Sequence, residues 1–137
     1  MRLIPLIALM IGLASIGRAQ EPAFVVNKDT KVASLTADDV KNILLGTKLK
    51  FDDGTSIRLA VLVDGQVHEK VVRGFTQRSV DQFEKYWKRL VFTGKGIMAE
   101  QCKGDAEVID YVSKNPGAFG YVDKSSVTPA VAIVEVK

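Results

Sequence analysis

The sequence has 137 residues, with 19 Lys and Arg against 16 Asp and Glu and a formal net charge of +3. Its single His and single Cys exclude a Cys/His zinc site and an intramolecular disulfide, and so small a positive balance makes no case for nucleic acid. One domain with one modest core is expected at this length.

Arg2 leads into an apolar run from Leu3 to Ile16, broken by Pro5, Gly12 and Ser15, and then to Gly17-Arg18-Ala19. This is the layout of a secretory signal peptide, residues 1–19, with cleavage after Ala19 and Ala14 as the alternative site. The run falls short of the roughly 20 apolar residues of a membrane span, so none is expected after cleavage. Residues 20–137 then form the domain. Without Arg2 and Arg18 its charge is closer to neutrality. Cys102, unpaired in an exported chain, is expected to be a buried or inert thiol rather than an inter-chain bridge.

Ala23 to Asn27 is a short apolar strand candidate followed by the polar turn Asn27-Lys28-Asp29-Thr30-Lys31. Thr36 and Asp39 form a capping box, with Leu35 and Val40 as its hydrophobic staple. Val40, Ile43 and Leu44 make the apolar face of that helix, and Gly46 ends it. Asp52-Asp53-Gly54 reads as a turn. Ile57 to Val63 is nearly continuously apolar, the pattern of a strand covered on both faces. Helices are expected over about Val67–Gln77 and Val80–Phe92, the latter with Val80, Phe83, Trp87, Leu90 and Val91 on one side. Asp105 is the expected N-cap of a helix carrying Val108, Ile109 and Val112. Pro116 stops that helix. Ala118–Val122 and Ala130–Val136 are the closing strands, and the order β, α, β, three helices, β, β is α/β.

Several of these landmarks stand together: Leu35-Thr36 with its helix to Leu45-Gly46, the turn at Asp52-Asp53-Gly54, Trp87 through Thr93-Gly94-Lys95, and Asn115-Pro116-Gly117-Ala118-Phe119-Gly120-Tyr121-Val122. Over about residues 24–123 the chain resembles one lobe of a periplasmic substrate-binding protein of the phosphate ABC transporter type. The resemblance implies a type II periplasmic-binding-protein-like fold, a central mixed sheet flanked by helices, in the periplasm. It also implies a binding role with no catalytic residues and no cofactor. In that family the corresponding lobe offers an Arg at a strand end and a Ser-Gly-Thr run opening the next helix, which meet the anion with hydroxyls, backbone N–H groups and the helix dipole. Here the stretch reads Leu62-Val63-Asp64-Gly65-Gln66-Val67-His68, without the Arg or the hydroxyls, and Asp64 adds a negative charge.

The loop Asp64, Gly65, Gln66, Val67 and His68 nevertheless lies where ligands bind in open α/β sheets, at the carboxyl end of a strand. Gly65 permits close backbone approach, and Gln66 and His68 are donors for a small anion or polar solute. The alternative is a capped helix entrance with a solvated His68, on an envelope interaction module whose former ligand face meets another protein or a second copy. An exposed apolar patch over Leu62–Val67 would mark that module. His68-Glu69 lacks the second His of a zinc helix, Val72 standing in its place, and no Ser lies in a nucleophile turn. Lys85, Lys88, Arg89 and Lys95 are read as a solvated face balanced by Asp81 and Glu84, and Tyr86 and Trp87 as core and rim rather than a base-stacking platform.

Overall fold

The computed structural model describes residues 20–96 and 98–137, so the expected signal peptide lies outside the described residues. The strands are β1 (Pro22–Val26), β2 (Ser34–Leu35), β3 (Arg58–Leu62), β4 (Glu100–Cys102), β5 (Ala118–Asp123) and β6 (Ala132–Val136). The helices are α1 (Ala37–Leu44), α2 (Gln66–Thr76), α3 (Val80–Phe92) and α4 (Asp105–Lys114), and a short 3-10 turn spans Lys124–Ser126. One mixed sheet runs in the order β2-β6-β1-β5-β3-β4. β1 is antiparallel to both β5 and β6, while β3 is parallel to β5 and β4 and β2 to β6. The α/β expectation holds, but its order omitted β2 and β4. Both are edge strands too short to carry an apolar run, and two of the three β4 residues, Glu100 and Gln101, are exposed.

Helices pack on both faces of this sheet. On one face Phe24 lies edge-on to Phe75 of α2 and stacks at 5.6 Å on Phe119. On the other, Gly120 leaves room for α4, since a Cβ there would stand 2.7 Å from Val108 Cγ1. Gly117 has φ +82°, and a Cβ would run into the Ser56 carbonyl oxygen. That close approach lets Arg58 N donate to Gly117 O at 2.9 Å and start the β3–β5 ladder. Buried Asn27 joins the end of β1 to α4, its Nδ2 donating to Val112 O at 2.8 Å.

Helix ends follow their capping chemistry. Thr36 Oγ1 accepts from Asp39 N and Asp39 Oδ2 from Thr36 N, at 3.0 and 3.1 Å, which is the expected capping box. α1 closes with Gly46 N donating to Ile43 O and Thr47 N to Asn42 O, a Schellman arrangement. Trp87 Nε1 donates to Leu44 O at 3.0 Å and Tyr86 Oη to Leu45 O. The α3 aromatics thus take up carbonyls that the α1 terminus leaves free. α3 opens on its own capping box, Ser79 with Gln82. Asp105 is not the N-cap of α4: Gly104 is. The Asp105 carboxylate faces away from its own helix, accepting from Asp123 N at 3.1 Å and from Ser126 Oγ at 2.7 Å, and so ties the α4 start to the end of β5. Cys102 is buried, and burial pushes its thiol up to about 11.

Candidate functional site

β3 is followed by Val63, whose N–H donates to Cys102 O at 3.1 Å, then by exposed Asp64 and by Gly65 at φ +98°, ψ 168°. Gly65 is the α2 N-cap and has no side chain to cap with, while its carbonyl accepts from Glu69 N at 3.1 Å. The backbone N–H groups of Gln66, Val67 and His68 meet no protein acceptor among the described residues. They are donors at the positive end of a helix, open to an anion or to water.

The side chains of the five loop residues do not converge. Asp64, Gly65 and Gln66 are exposed, whereas Val67 and His68 are buried. His68 is 2% exposed and turned into the fold, which departs from both a solvent-facing donor and a solvated His68. The cause is helical spacing: His68, Val71 and Val72 share the buried face of α2.

His68 Nδ1 lies 2.6 Å from Tyr121 Oη, which also accepts from Leu62 N at 3.3 Å. Tyr121 Oη has no acceptor other than Nδ1 among the described residues, so its proton is assigned to that bond and the imidazole proton to Nε2. Burial pushes His68 below its ordinary pKa, against the pull of Glu84 and Asp64, and pushes the Tyr121 phenol up. The pair is therefore neutral near pH 7.

His68 also lines a cavity of about 290 Å³ between β3, α3 and the approach to β4. Val61, Phe83, Trp87, Val91 and Met98 are among the apolar residues of its wall, and Glu84, Lys88 and Gln101 join His68 as its polar ones. The apolar positions of α3 were legible as one face of a helix, but the sequence held no sign that the face is incompletely covered or that Tyr121 faces His68. Lys85 pairs with Asp81 at 2.9 Å, in line with a solvated face. Among the described residues no group of three or more His, Cys, Asp and Glu is placed to hold a metal ion. No described helix is long and apolar enough to cross a membrane.

No protein-family model matches the chain, nor does any curated protein. Solved structures do. A putative phosphate ABC transporter substrate-binding protein with bound phosphate from Clostridium perfringens superposes with TM-score 0.66 at 18% identity, over 85% of this chain and 45% of that one. PstS from Borrelia burgdorferi gives 0.61 at 15% identity, over 86% and 47%. An ABC-type phosphate transport receptor from Vibrio cholerae gives 0.59 at 16%, over 85% and 46%. The chain thus spans about half the length of each. At these identities the likeness is one of fold, and the mixed α/β architecture described above is that of one lobe of a phosphate-type substrate-binding protein.

Proposed function

We propose that this lobe serves in the periplasm as a binding domain, holding a small anion or polar solute weakly at the amino end of α2. The observation that carries this reading is the set of acceptor-free N–H groups of Gln66, Val67 and His68 at the end of β3, where Gly65 lets a ligand reach the backbone. The likeness to phosphate-binding proteins supports phosphate as the first solute to try. Asp64 opposes it by charge and accounts for the weakness of the binding. The interaction-module reading finds no apolar patch over residues 62–67: Leu62 and Val67 are buried, and of the apolar side chains there only Val63 is exposed, at 37%.

The test is thermal unfolding at low ionic strength with phosphate, sulfate or neutral solutes. A ligand of millimolar affinity supplied at tenfold excess adds about 1.4 kcal/mol. Gln66→Pro removes one donor at N1, the helix position proline tolerates best, so the variant should fold and lose the phosphate response. An undiminished response in Gln66→Pro, or none in the parent protein, would reject this site.

A further inference from the structure

We propose that the cavity beneath His68 is a second binding site, for a small uncharged molecule with a mainly apolar body and one hydrogen-bond acceptor that meets His68 Nε2–H. This side chain is 98% buried by its 2% exposure, and its Nδ1 is committed to Tyr121. No protein acceptor meets Nε2 among the described residues, yet no buried side-chain nitrogen or oxygen there lacks a partner. Nε2 is therefore not sealed in, and the open space that His68 lines is the cavity. Open to the cavity, this donor meets water there, and a ligand that displaces the water without offering an acceptor leaves it unpaired at a cost.

The walls decide the rest of the ligand. Val61, Phe83, Trp87, Val91 and Met98 ask for apolar surface. Glu84 and Lys88 bring opposite charges, so the cavity favours neither an anion nor a cation. Its volume of about 290 Å³ lies near the lower end of ligand pockets, about 300 Å³, which suits a one-ring compound. This site does not use the α2 backbone donors: it uses the buried His68 side chain.

His68 is the only His and Trp87 the only Trp in the chain, and both line the cavity; because Trp87 also borders the neighbouring pocket beside Leu49 and Tyr111, an emission change counts only when the His68 shift accompanies it. Acetophenone, ethylbenzene and benzoate, which share one ring but differ in acceptor and charge, are added to the purified protein. Imidazole 15N shifts and Trp87 emission are then followed. Acetophenone should move both signals, with ethylbenzene and benzoate several-fold weaker. Val91→Phe, which fills the cavity, should abolish the response; Val63→Phe at the exposed rim serves if the first variant does not fold. Gln66→Pro should keep it, so failure here and failure of the anion site are told apart. The proposal is overturned by silence with acetophenone, by equal responses to ethylbenzene or benzoate, or by a response that survives the filled cavity.

Discussion

Tyr121 accepts from the Leu62 backbone and donates to His68 in the core, so its hydroxyl satisfies two groups that burial would otherwise leave bare. Tyr121→Phe keeps the ring and strips both partners. Each orphaned group costs about 1–3 kcal/mol, and urea unfolding should show a loss in that range or above. A loss under about 0.5 kcal/mol would mean that water replaces the hydroxyl. The same pair makes stability depend on pH. His68 is held below its ordinary value of 6.5, chiefly by burial, so as pH drops the unfolded chain takes up the proton first. Stability is full above that value and is lost as pH falls through it toward the folded-state pKa. The melting temperature should decline between about pH 7 and 5, and His68→Gln should flatten that decline. An equal slope in the variant would assign it to other groups. Cys102, buried and with its thiol pushed up to about 11, should react with thiol reagents at pH 8 only after denaturation.

Elements were legible where their signals are local. The α1 capping box, the turn at Gly54 and the span of α3 depend on residues within a few positions of one another, and each formed where expected. What the sequence withheld is set by distant neighbours: β2 and β4 exist through their pairing with β6 and β3. Asp105 is likewise drawn from its cap role to Asp123 and Ser126, and the partner that His68 meets in the core, Tyr121, is distant in the chain. Gly117 and Gly120 lie between these cases. Their spacing was visible, but their reasons differ. Gly117→Ala meets both a positive φ and the Ser56 carbonyl, which together should cost about 2–4 kcal/mol. Gly120→Ala, at an ordinary φ, meets only the Val108 methyl, and repacking of α4 limits the loss to about 1–3 kcal/mol. Denaturant midpoints that rank the two variants the other way would show that the β3–β5 contact yields more easily than α4.

At the scale of the whole molecule, charge and enclosure set how tightly the α2 terminus can hold an anion. On the proposed reading a ligand there would be met by the described lobe from one side and by water from the other, so the attraction of three backbone donors would be screened rather than concentrated. Asp64, exposed, immediately precedes the Gly65 N-cap in the chain. At a separation of about 6 Å in a watery dielectric, one negative charge opposes a monoanion by about 0.7 kcal/mol. Asp64→Asn should therefore tighten phosphate binding on the order of threefold at low salt. The gain should shrink as ionic strength approaches 1 M, where the screening length falls to about 3 Å. Calorimetric titration of parent and variant at both salt levels checks this. A gain that persists at high salt would point to a hydrogen bond from the new amide instead of relieved repulsion. Micromolar binding by the parent would demand enclosure from a second face, which sedimentation would then reveal as phosphate-dependent pairing of two copies.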